Sequence, residues 1–166
     1  MIEELKGTGA QIKTVEPELI HVTLKFLGDI EESLVPKVKG LIVEATNGCS
    51  ACKVNLKGSG AFPGLSNIRV VWVGMEGAEP IKQIACNLDA GLTSLGFQRE
   101  ARPFTPHVTV GRMKGARGEN LVREVIQRHK DQDFGEVSFS SIRLKKSVLS
   151  PKGPSYYTME EVPLKC

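Results

Sequence analysis

Residues 20–27 read IHVTLKFL. Polar and apolar side chains alternate along this run. His21, Thr23 and Lys25 fall on one side of an extended chain, and Val22, Leu24 and Phe26 on the other. A period of two predicts a strand. The same design returns at residues 106–113, PHVTVGRM, where His107 and Thr109 share one side and Val108 turns to the opposite one. Each run therefore sets an imidazole beside a hydroxyl on a face that could have been apolar.

Outward from the first run, Leu34, Val38, Leu41, Ile42 and Ala45 recur at helical spacing and predict a helix over 33–46. Pro36 fits its first turn if Ser33 is the cap, and Asn47-Gly48 is the expected stop. Strand-like runs follow at 52–58 and 68–73, separated by a turn-rich stretch at 59–67. Ile81, Ile84, Ala85, Leu88, Leu92 and Leu95 mark a second helix that Gly96 ends. After the second run comes a helix over about 119–130, with Leu121, Val122, Val125 and Ile126 expected inside. Strands over 137–148 and 156–162, joined by a turn at Ser150 to Pro154, close the chain. The order strand, helix, strand thus occurs twice, from His21 and from His107. It predicts an α+β fold with approximate internal two-fold symmetry.

The chain has 166 residues, 40% of them hydrophobic and 25% charged, which suits one globular domain spanning 1–166 and argues against disorder. The formal charge of +3 is a mild basic bias, compatible with a polyanionic ligand. No stretch approaches the ~20 apolar residues of a membrane helix. Met1 to Ala10 lacks the apolar core of a signal peptide. A cytoplasmic protein that does not engage membranes is expected, with Cys49, Cys52, Cys86 and Cys166 reduced.

Two imidazoles suit a phosphodiester. In-line attack at phosphorus needs a base behind the attacking water and an acid behind the leaving oxygen. Histidine ordinarily titrates near 6.5, so one of a pair can be neutral while the other is charged. The hydroxyls of Thr23 and Thr109 can donate to the non-bridging oxygens, where charge gathers. No carboxylate cluster marks a metal site, and no metal or cofactor is expected. A lone histidine beside a threonine is usually structural. Two such triplets among three histidines favour chemistry.

The sequence resembles the 2H phosphoesterase superfamily, and within it the RNA 2′,3′-cyclic phosphodiesterase (2′-5′ RNA ligase) group. Its two H-x-[TS]-x tetrads are matched by His21-Val22-Thr23-Leu24 and His107-Val108-Thr109-Val110. HVTLKFLGDI, GAFP followed by RVVWVG, FTPHVTVGR and VLSPKGPSYY resemble family segments in the family's order, so the likeness runs from about Ile12 to the C-terminus. It implies a bilobal fold, with antiparallel sheets lining a central cleft and helices outside. The implied activity opens RNA 2′,3′-cyclic phosphates to 2′-phosphomonoesters, and some members join tRNA halves through a 2′-5′ linkage. His21 would be the proton donor, His107 the acceptor, and Thr23 and Thr109 the holders of phosphate oxygens. Family chains carry an apolar strand and a full helix earlier, so Met1 to Gly9 reads as the tail of that helix. A monomer is expected.

Other residues leave alternatives open. Arg112 matches phosphate bidentately but points away from His107 in a straight strand, unless a bend at Gly111 re-aims it. Lys25 lends positive potential or is a solvated strand lysine. Phe104 and Tyr156 stack on a base or pack inside, Tyr156 being the better candidate for stacking. Lys145 and Lys146, with Arg143 and Lys152, form a basic rim or a solvated strand edge. Cys49-Ser50-Ala51-Cys52 has no second pair at zinc spacing and reads as chance. His129, at a helix end, reads as a surface residue. Two other functions compete with the enzyme: a weakly catalytic or non-catalytic nucleotide or RNA-end binding module, and a zinc hydrolase ligated by His21 and His107.

Overall fold

A computed structural model describes residues 1–150 and 153–165. Chain contacts divide it into two compact units, each drawn from three separate stretches of sequence. The first comprises 1–23, 54–78 and 105–137, and the second 24–53, 79–104 and 138–166. The elements are α+β, and the strand pairs of described register run antiparallel, as the sequence predicts.

The first unit is built on a five-stranded sheet of β1 (Ile12–Thr14), β4 (His107–Met113), β3 (Asn67–Glu76), β2 (Cys52–Gly64) and β5 (Asp133–Phe139), in that spatial order. Val71, Val73, Val108, Val110, Ala61 and Ile68 are buried. They meet Val122, Val125 and Ile126 of α4 (Glu119–Arg128) and Leu5 of α1 (Ile2–Gly7). Helices therefore cover one face of the sheet. Glu4 of α1 accepts from His129 Nε2 at 2.7 Å and pairs with Arg128 at 3.2 Å. His129, which also contacts Gln132, is 7% exposed. It is a buried tie between the two helices and not the surface residue its position suggested. Leu121 shows the opposite correction: it is exposed, because the buried stripe of α4 is only Val122, Val125 and Ile126 wide.

The second unit packs α2 (Val35–Ala45) and α3 (Glu79–Leu92) with the hairpin of β6 (Ser141–Ser150) and β7 (Gly153–Pro163). Val38, Ile42, Ala45, Leu88, Leu92 and Val162 form its core. Pro36 lies in the first turn of α2, but Ser33 bonds Glu31 instead of capping, inside a short 3-10 turn over Glu32–Leu34. The predicted single strand over 137–148 is two strands parted at Ser140. Of the predicted turn at Ser150 to Pro154, Pro151 and Lys152 lie outside the described residues, as does Cys166.

Two expectations fail for related reasons. The stretch at 59–67 is not a loop: β2 continues through Gly64 and only Leu65 and Ser66 turn. Register shifts between Leu56 and Ser59 and between Phe62 and Pro63 break the alternation that reveals a strand. Gly58, at φ +70°, accommodates the first shift, and a Cβ there would stand 2.6 Å from the Lys130 carbonyl oxygen. The stretch at 20–27 joins no ladder. Its side chains serve two cores in turn. Ile20 and Val22 pack on the first, and Leu24 and Leu27 on the second. Phe26 is left 76% exposed. Among the described residues no helix is long and apolar enough to cross a membrane.

Candidate active site

Cross-strand partners share a face of a sheet, so register decides what lies opposite the helices. Val73 pairs with Val108 and Val71 with Gly111, and these residues are buried on the helix side. The other face therefore carries three rows. Gly74 faces His107, Gly60 faces Trp72 and Thr109, and Phe62 faces Val70, Arg112 and Lys13 in turn.

Arg112 belongs to this face because β4 is bulged. Val71 opposes Gly111 while Trp72 opposes Thr109, so Val110 is an extra residue in the ladder. Val110 and Gly111 are both buried and Arg112 is exposed. One extra residue converts the odd offset from His107 into same-face placement, the re-aiming that a straight strand denies.

Both histidines are built alike. His107 Nδ1 bonds the Thr105 carbonyl at 2.6 Å, and His21 Nδ1 bonds the Leu19 carbonyl at 2.7 Å. A carbonyl oxygen only accepts, so each Nδ1 donates, and each neutral imidazole keeps its lone pair on Nε2. Val22 and Val108, between histidine and threonine, both turn to the first unit's core. His21 is exposed, and Thr23, His107 and Thr109 are half-buried. All four residues belong to the first unit.

Sequence reading missed the aromatic surroundings of His107. The Phe62 ring meets its imidazole edge-on at 5.0 Å between centroids, and the Trp72 indole stands 6.4 Å from the imidazole and 5.5 Å from Phe62. Gly60 makes room for the indole: a Cβ there would lie 2.2 Å from Trp72 Cζ2. The available signal was GAFP and RVVWVG, two segments read only as marks of kinship. Lys13 was missed because three residues of β1 are too few to show a period.

Several candidates belong to the second unit. Tyr156 is exposed on β7 opposite Ser147, and Phe104 is half-buried, both in the second unit. Lys25 neither lends potential nor sits in solvent. Its side chain is 6% exposed, and its ammonium bonds Asp89 at 2.6 Å and the Gln98 carbonyl at 2.7 Å. Burial alone would lower its pKa, but hydrogen bonds to Asp89 and Glu100 outweigh that and raise it. Arg143 pairs with Glu161 and Lys146 with Glu32, so this stretch is partly neutralised. Lys152 is outside the described residues. Cys49 and Cys52 are free thiols, and burial, aided by Cys49, pushes the Cys52 thiol up. Among the described residues, no group of three or more His, Cys, Asp or Glu side chains could hold a metal ion.

The sequence pattern of the 2′-5′ RNA ligase superfamily matches residues 2–146. A Methanothermobacter thermautotrophicus protein named RNA 2′,3′-cyclic phosphodiesterase is 37% identical over 158 residues, 95% of this chain and 85% of that protein. One of the same name from Aeropyrum pernix is 38% identical over 161 residues, 96% of this chain and 90% of its own. A crystal structure of a Thermus thermophilus protein superposes with a TM-score of 0.79 at 27% identity, covering 99% of this chain and 90% of the other.

Proposed function

The chain belongs to the 2′-5′ RNA ligase superfamily, and from that premise we propose that it hydrolyses RNA 2′,3′-cyclic phosphate ends to 2′-phosphomonoesters by two-histidine acid/base catalysis. The observation that carries the reading is the duplicated imidazole: His21 and His107, each with Nδ1 donating to the carbonyl two residues back and a threonine two residues ahead. That bond leaves Nε2 as the atom that gives or takes a proton.

His107 Nε2 accepts a proton from water as its oxygen attacks phosphorus. The bond from phosphorus to the 3′-oxygen breaks, and His21 Nε2 delivers a proton to that oxygen. The product is a 2′-phosphate beside a 3′-hydroxyl, and proton exchange with solvent resets the pair. Donor and acceptor are assigned by family usage. Thr23 and Thr109 hydroxyls donate to the non-bridging oxygens, and the Arg112 guanidinium adds positive charge beside them. Phe62 and Trp72 restrict water around His107, which strengthens each of these bonds. A 5′-hydroxyl in place of water would give the 2′-5′ linkage, so RNA ends, tRNA halves among them, are the proposed partners. Tyr156 is proposed as a stacking platform for a terminal base. No metal or cofactor takes part in this scheme.

The test is an oligoribonucleotide ending in a 2′,3′-cyclic phosphate, with the phosphate isomer of the product identified. His21→Ala and His107→Ala should each lower the rate by about 10²–10⁴-fold, and excess EDTA should leave it unchanged. Hydrolysis surviving both substitutions would remove the two-histidine mechanism, and a protein that retains such ends without hydrolysing them would be a binder. Loss of activity in EDTA, restored by zinc, would replace the mechanism.

A further inference from the structure

On the active face, the row beyond Thr109 ends in two cations. Lys13 of β1 is the direct cross-strand partner of Arg112. Both are exposed, and no ion pair holds either of them among the described residues. Of the other cations of the same unit, Lys6 is paired with Glu3, Lys57 with Glu76, Arg123 with Glu119 and Arg128 with Glu4. Arg69, Lys114 and Arg117 also lack an ion pair among the described residues but do not face another cation across a described strand pair. Like charges directly opposite each other in a sheet repel. The arrangement becomes favourable when an anion lies over both.

We infer that Lys13, with Arg112, forms a subsite for the 5′-phosphodiester of the terminal nucleotide, making the enzyme prefer RNA ends to isolated nucleoside cyclic phosphates. The inference rests on the function proposed above. Rows on one face of a strand lie roughly 6.8 Å apart. A cyclic phosphate held near Thr109 thus leaves the next phosphate along the chain within reach of the Arg112–Lys13 row. Arg112 lies on the path between the two phosphates and can contact either. Lys13 lies a strand further out, and only the second is near it. A lysine suits this position because a backbone phosphate needs a mobile point charge more than a fixed fork.

The experiment compares three substrates: a cyclic-phosphate-ended oligoribonucleotide, a nucleoside 2′,3′-cyclic phosphate with a free 5′-hydroxyl, and the same nucleoside bearing a 5′-phosphate. In the unaltered protein, adding the 5′-phosphate should raise kcat/KM. In Lys13→Gln, the ratio of kcat/KM for the oligonucleotide over the 5′-hydroxyl nucleoside should fall about tenfold, through KM. The slope of log affinity against log salt should become shallower by about 0.7. Lys130→Gln removes an equal charge from a helix end and should leave the ratio alone. A fall of both substrates in parallel, an unchanged ratio, or no gain from the 5′-phosphate would each overturn the inference. If the unaltered protein hydrolyses none of the three, it is the proposed function that fails.

Discussion

A neutral imidazole has two tautomers, and a catalyst needs one of them. The Leu19 and Thr105 carbonyls make that choice from within the same short segments that carry the histidines. The selection therefore survives changes in distant side chains. What stands around the ring is less protected, because it depends on one missing methyl group. Gly60 leaves the space that the Trp72 indole fills, and Trp72 and Phe62 together flank His107. Gly60→Ala should displace the indole at modest cost to the fold, since residue 60 faces away from the helices. The expected result is a kcat lowered about tenfold. It should come with a shifted emission maximum from Trp72, the one tryptophan in the chain. Unchanged emission and activity would mean the indole does not shape the site.

At the scale of elements, legibility follows continuity of period. Helices α2, α3 and α4 are readable because each keeps one buried apolar stripe at helical spacing. Strand β2 runs beyond its sequence signal because two register shifts interrupt its alternation. Residues 20–27 carry a strand pattern without forming a strand, because alternation does not reveal that the apolar residues serve different cores. The bulge at Val110 was invisible for the same reason, and with it the side on which Arg112 emerges. Lys25 shows a further limit, since its partner Asp89 lies far along the sequence on α3. There the Lys25 hydrogen bond holds the Asp89 carboxyl below its usual range against the opposing pull of burial, with help from the Glu100 backbone N–H and Arg99. Asp89→Asn leaves a nearly buried ammonium with only Glu100 as a charged partner. It should cost about 2–3 kcal/mol. That corresponds to a melting temperature lower by roughly 4–12 °C, measured by calorimetry. A change under one degree would show that the pair is solvated.

Across the whole chain, the carboxylates and ammoniums whose titration the fold perturbs change charge outside the range of the two imidazoles assigned to catalysis. Glu4, Asp89, Asp133 and Glu161 are all held below the ordinary carboxylate value, by hydrogen bonds from His129, Lys25, Asn55 and Ser141 respectively. Their stabilisation is fully present above the unfolded value of about 4 and is lost as pH falls below it toward the depressed folded values. Lys6 and Lys57 are raised by their bonds to Glu3 and Glu76, and Lys25 by bonds that overcome its burial. Their contribution is complete below the unfolded lysine value of about 10.4 and disappears as pH rises past it. Between these limits these groups give stability no reason to vary. One acid and one base, by contrast, give a bell-shaped rate within about pH 5 to 8. The contribution of these carboxylates and lysines to the melting temperature should therefore stay level across the whole bell, and the carboxylate part should fall on the acid side of about pH 4. With chemistry rate-limiting, a flat rate over that interval would remove the two-imidazole mechanism. A melting temperature that rose and fell with the rate would instead assign the pH dependence to folding.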